Sequence, residues 1–158
     1  MSSIFQSSAM SKPAFQAHES GLLCCSCNII DITTNPVAAD TYELCKVPAG
    51  ATVVGGWFMA PDLDTGGETL DMDIGWKANG VESADPDGFG NLGVLTGDSF
   101  ALGNVSLVVG LLYPLQGVLL TAGPKTFTNE TVIEMVANVT AASGGTGIIT
   151  LRVDYLSP

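Results

Sequence analysis

The stretch GETLDMDIGWK, residues 67–77, alternates without a break: Leu70, Met72, Ile74 and Trp76 fall on one face, Thr69, Asp71, Asp73 and Lys77 on the other. Side chains repeat every two residues only in a β-strand, and an apolar face backed by a polar one marks a half-buried antiparallel strand. The C-terminus repeats the pattern, with Ile149, Leu151, Val153 and Tyr155 alternating with Thr150, Arg152 and Asp154. Thr131–Val139 does so again, placing Ile133, Met135, Ala137 and Val139 opposite Glu130, Glu134 and Asn138. Glycine-rich Ala142–Gly147 separates these last two runs and offers the positive-φ residues of a tight loop, so they are expected to pair as a hairpin.

Working outward, Tyr42–Val47 and Ala51–Met59 read as two more strands. Val47-Pro-Ala-Gly50 joins them as a turn, with proline at its second position and glycine at its fourth. Ser106–Leu112 and Gln116–Thr121 are apolar on both faces, as strands buried between layers or under another subunit would be. Ala78–Gly103 reads as a long irregular excursion. Nineteen glycines and eight prolines in 158 residues leave few windows for a helix, and no fixed-period repeat points to a solenoid or propeller. The expected fold is all-β: an antiparallel β-sandwich or jelly roll with an extended N-terminal arm. The arm is residues 1–28 and the sandwich domain residues 29–158. The arm shows no sustained period, yet it carries Ile4, Phe5, Met10 and Phe15. These four are the candidate partner-binding residues, anchors that order on a neighbouring surface.

Charge narrows the function. Five Lys and Arg stand against sixteen Asp and Glu, a formal net charge of −11. That sign repels phosphate and anionic lipid, which argues against nucleic-acid and membrane partners. Charged residues make up only 13% of the chain, about half the usual share, so large surfaces are expected to be neutral or covered by partners. The opening MSSIFQSSAMSKPAF has no cationic segment followed by an apolar run, and Leu107–Leu115 is too short and too broken to cross a bilayer. Synthesis in a reducing cytosol is expected.

The remaining candidate sites are weak. Cys24, Cys25, Cys27 and Cys45 number enough for zinc, but adjacent cysteines do not suit one tetrahedral ion; reduced thiols are expected, with a disulfide to Cys45 as the alternative in an oxidising medium. Gly88-Phe-Gly-Asn-Leu-Gly93 matches a dinucleotide fingerprint without the strand before it or the helix after it. The carboxylates of Asp62–Asp73 cluster around glycines, yet they miss calcium-loop spacing. His18 is the single histidine and has no nucleophile beside it. No enzyme, metal or cofactor is indicated.

In order along the chain, Tyr42-Glu-Leu-Cys-Lys-Val-Pro-Ala-Gly-Ala51, Val53–Phe58, Thr69-Leu-Asp-Met-Asp-Ile-Gly75 and the closing Thr131–Thr140 and Gly147–Tyr155 resemble the small β-sandwich head decoration, or capsid cement, proteins of tailed bacteriophages. The resemblance spans about residues 40–156. It implies a non-catalytic virion protein, made in the host cytoplasm, that sits on the outer capsid surface and stabilises it by binding the major capsid protein. A homotrimer is expected, on the evidence of the doubly apolar Ser106–Leu112. The alternatives are a neck, tail or fibre-base component, and a carbohydrate-binding module using Trp57, Phe58 or Trp76 as stacking platforms.

Overall fold

A computed structural model describes residues 3–6, 21–64, 69–94 and 111–158. Ten strands and one turn of helix occur among them: β1 (Ile4–Gln6), β2 (Leu23–Ile32), β3 (Thr41–Val47), β4 (Thr52–Ala60), β5 (Asp71–Trp76), β6 (Asp85–Val94), β7 (Leu111–Pro114), α1 (Val118–Thr121), β8 (Lys125–Thr126), β9 (Thr131–Val139) and β10 (Gly147–Leu156). They form a sandwich. One sheet has the order β1-β3-β9-β5-β6, the other β2-β10-β4-β7 with β8 also on β4. Every neighbouring pair is antiparallel except β1 with β3.

The alternation read from the sequence is the core. Leu70, Met72, Ile74 and Trp76 are buried, as are Ile133, Met135 and Ala137 from β9 and Ile149, Leu151, Val153 and Tyr155 from β10. At one end Trp76, Phe89 and Phe127 pack edge to face, with ring centroids 5.0 to 6.3 Å apart. Gly88 makes that cluster possible, because a Cβ there would lie 2.2 Å from the Trp76 ring.

Several expectations fail, each for a local reason. β9 and β10 are not a hairpin: β9 pairs with β3 and β5, whereas β10 pairs with β2 and β4 in the opposite sheet. The glycines between them serve a crossing segment, not a tight turn. Gly145 lies so close to the chain at Asp62 and Leu63 that a Cβ would stand 2.3 Å from the Asp62 carbonyl oxygen. Ala78–Gly103 is not irregular throughout, since β6 occupies Asp85–Val94. Its glycines hid the strand by removing the side chains that show alternation. Gln116–Thr121 is not a strand: Gly117 turns the chain at φ 54° into the one-turn helix Val118–Thr121. Of Ser106–Leu112 only Leu111 and Leu112 lie within the described residues. In the β3–β4 turn Gly50 holds the third position, with φ 78° and the Ala51 N–H donating to the Pro48 carbonyl at 3.2 Å. That is a type II arrangement, which requires positive φ at that position.

The N-terminal segment contributes two strands. β1 runs parallel to β3, tied by the Ser3 N–H to Asp40 Oδ1 at 2.9 Å and by the Thr41 N–H to the Ser3 carbonyl at 3.0 Å. β2 begins at Leu23, so a boundary drawn after residue 28 cuts it in the middle. Its polarity conceals it: Leu23, Cys25, Cys27 and Ile29 point outward, while Ser26 and Asn28 point inward.

Candidate docking interface

Apolar side chains at outward positions make the free face of the β2-β10-β4-β7 sheet unusual. Cross-strand register builds it row by row. Thr150 lies between Ile29 and Met59, and Met59 faces Leu112. In the next row Arg152 lies between Cys27 and Trp57, and Trp57 faces Pro114. Leu156 faces Leu23 toward one end, and Ile148 stands beside Asp31 at the other. Ile29 and Ile148 are each 54% exposed, Leu112 52%, Trp57 44% and Met59 42%. Scattered exposed apolar residues are ordinary on a soluble protein; a contiguous group on one face marks an interaction surface. The charges in its middle cancel one another, since Arg152 Nε bonds Asp154 Oδ1 at 2.7 Å.

The opposite face of the sandwich is acidic. Glu43 on β3 stands directly across from Glu134 on β9, and Lys77 Nζ pairs with Glu43. Asp71 and Asp73 follow on β5, where Asp73 accepts a hydrogen bond from Asn138 Nδ2 at 2.7 Å. Lys46 and Glu130 pair at 3.0 Å. Asp73 and Glu134 lie on the polar side of their strands as expected, yet both are buried. Burial pushes Asp73 above the usual carboxylate range, despite the Asn138 bond, and Asp71 and Asp87 add to the rise.

Glu134 goes further, up to about 7. Burial is the main cause; Lys77 pulls it down and Glu43 pushes it up. A raised folded-state value means that the native protein binds the extra proton between about 4.5 and 7. That contribution to stability is complete below 4.5 and disappears as pH rises through 7. Melting temperature is therefore expected to fall across this window, by the equivalent of roughly 2–3 kcal/mol. Glu134→Gln should flatten the profile, and a variant with the same slope as the parent would exclude Glu134 as its source.

The other sequence candidates are dispersed. Cys25 and Cys27 are exposed on the apolar face, Cys24 is half-buried, and Cys45 is buried in the other sheet. All four are free thiols. Burial pushes Cys45 up to about 12, a bond from Ser26 lowers it and Cys27 raises it. Gly88–Gly93 lies within β6 rather than in a loop entering a helix. In the Asp62–Asp73 region the buried Asp64 carboxylate is taken up by backbone amides of Thr69, Leu70, Ala142 and Ser143. No group of three or more His, Cys, Asp or Glu suited to a metal ion occurs among the described residues. Of the three aromatic platforms, Trp76 and Phe58 are core and only Trp57 is exposed. Ile4 is exposed on β1 and Phe5 is also part of that strand; Met10 and Phe15 lie outside the described residues.

The sequence does carry a signal for the apolar face. Val53–Met59 and Ile148–Ile149 place apolar residues at successive positions, which a strand with one wet face does not need.

No protein-family model matches the chain, and no curated protein sequence matches it. Solved structures do. A chain of the capsid of Ralstonia phage GP4 aligns over 98% of each chain at 20% identity and a TM-score of 0.70. One from the cyanophage Pam1 capsid asymmetric unit aligns over 96% of each at 22% identity and 0.64. A third, from the acid-stable capsid of Helicobacter pylori bacteriophage KHP30, covers 89% of this chain and 91% of that one at 18% identity and 0.58. At these identities the likeness establishes a shared fold along nearly the whole length.

Proposed function

We propose that the protein is a structural, non-catalytic component of a bacteriophage virion that decorates the capsid and stabilises it by binding the major capsid protein. The observation that carries this reading is a sandwich with two unlike outer faces, one apolar and nearly neutral, the other acidic, on a fold shared with chains of three phage capsids. The apolar face of β2-β10-β4-β7 meets the shell, where desolvation favours side chains such as Ile29, Trp57 and Met59 over charged ones. The acidic face looks to solvent, on the outer surface of the virion, where exposed carboxylates such as Asp87 and Glu130 keep particles apart. Ile4, Phe5, Met10 and Phe15 serve as further anchors on the shell. Stabilisation follows by mass action, because a ligand that binds only the assembled shell favours that shell. Self-association belongs to this reading as well, although the segment that suggested a trimer lies mostly outside the described residues.

Trp57 gives the carbohydrate-binding alternative its one exposed platform. Around it stand Met59 and Pro114, and its one charged neighbour, Arg152, is already engaged by Asp154, so protein docking fits better than sugar recognition, which needs free polar groups around the stacked ring. The test is add-back. Virions assembled without the protein should bind it in hundreds of copies and regain resistance to heat. Occupancy of about a dozen copies would instead indicate a neck or tail part, and no binding at all would overturn the virion reading.

A further inference from the structure

A sheet edge with unpaired N–H and C=O groups recruits other strands, and soluble proteins blunt such edges by shortness, proline, bulges or lysine. Three of the four edges here are blunted. β1 has three residues, and β7 has four and ends in Pro114. β6 contains Pro86 and meets β5 through register shifts. β2 has none of these devices. It runs for ten residues, pairs with β10 without a shift, contains no proline or lysine, and carries the single charge Asp31.

The direction of its free groups follows from its start. The Gly21 N–H donates to the Ser157 carbonyl and the Ser157 N–H to the Leu22 carbonyl, each at 2.9 Å, a glycine bulge that opens the ladder. Alternation then makes Cys24 and Tyr155 the next mutually bonded pair. Leu23, Cys25, Cys27, Ile29 and Asp31 therefore turn their backbone groups to the free edge, where no strand lies among the described residues.

We propose that this edge is the seam of a two-fold dimer, in which β2 pairs antiparallel with β2 of a second copy. The strand complements itself. In a register centred on Ser26, Leu23 faces the partner's Ile29, Cys25 the partner's Cys27, and Asp31 the partner's Gly21. Sliding the register toward the C-terminal end sets Asp31 against an apolar residue or against its own copy. Joining the edges makes one ten-stranded sheet and merges two apolar faces into a single surface. Two linked faces bind a repeating lattice more tightly than either alone. The dimer itself goes beyond the capsid reading and is tested without any shell.

Light scattering on the full chain across a wide concentration series should give the mass of a dimer. Cys27→Pro should be monomeric with an unchanged circular dichroism spectrum, because proline removes an edge-facing N–H and leaves the ladder to β10 intact. Should that variant unfold, Cys27→Lys with Ile29→Lys supplies the same test by placing charge in the seam. Register is read by mixing Cys25→Ser and Cys27→Ser chains and adding diamide, which takes up the two protons and two electrons of disulfide formation. Bonded pairs in such a ladder stand about 5.5 Å apart at Cα, within disulfide reach. Only the mixture should cross-link. A wild-type chain that is monomeric throughout, a folded edge variant that still dimerises, or single variants that cross-link alone as readily as the mixture would each overturn the proposal.

Discussion

Asp64→Ala is expected to lower the stability of the sandwich by about 4 kcal/mol. Asp64 Oδ2 accepts the backbone N–H groups of Thr69, Leu70 and Ala142 at 2.7, 3.0 and 3.1 Å, and Oδ1 that of Ser143 at 3.0 Å. The residue also pairs with Gly144 in an isolated bridge. One side chain thus pins the approach to β5 onto the segment that crosses from β9 to β10. Alanine leaves four amides without their acceptor, at a cost of ~1.5–3 kcal/mol for each charge-assisted bond, less than additively. For a domain of this size the loss corresponds to a fall in melting temperature of roughly 10 °C. Burial acts against the charged form of Asp64, but the amides of Ser143, Ala142, Leu70 and Thr69 outweigh it and hold the carboxyl down at about 2. The native state then binds fewer protons than the unfolded chain below the ordinary value of 3.8. This contribution is present above 3.8 and lost as pH falls through about 2, some 2 kcal/mol in all. Asp64→Ala should remove that acid limb from the stability profile. A variant that melts within a degree or two of the parent would show that the crossing segment holds without the carboxylate.

Trp57→Asp combined with Met59→Asp is expected to reduce occupancy on decoration-free shells at least a hundredfold, equivalent to about 2.7 kcal/mol. Each large apolar side chain fully covered contributes ~1.5–3 kcal/mol, and a buried unpaired carboxylate adds a desolvation penalty. Both positions are substantially exposed in the free protein, so folding and melting should change little. Val81→Asp supplies the control, since Val81 is exposed in the segment between β5 and β6, away from the apolar sheet. Sedimentation of labelled protein with shells measures all three chains. Undiminished binding by the double variant would move the docking surface off the β2-β10-β4-β7 face.

Much of the fold was legible as alternation. Leu70 to Trp76, Ile133 to Ala137 and Ile149 to Tyr155 each declare a strand and its inner face, because burying one side of a pleated chain imposes a period of two. Where that contrast fails, the reading fails. β6 is hidden by Gly88, Gly90 and Gly93, and β2 by outward Leu23 and Ile29 against inward Ser26 and Asn28. The acidic face was half legible: Asp73 and Glu134 fall on the polar side of their strands by alternation, but their burial does not follow from it.

Taken alone, the sequence determined local matters: the inner faces of the strands that alternate, and an acidic, charge-poor composition. Periodicity carries these because each depends on residues a few positions apart. Which sheet a strand enters depends on its long-range partners. β9 and β10 are adjacent in the chain and equally alternating, yet they lie in opposite sheets, since the pleat says which face is buried and nothing about which strand lies alongside. The same holds for the docking face. Ile29, Trp57, Met59, Leu112 and Ile148 come from four strands, and Ile29 and Ile148 are 119 positions apart, a distance over which no pattern operates. Only hydrogen-bonded register brings them to one surface, and only the closed sandwich leaves that surface uncovered.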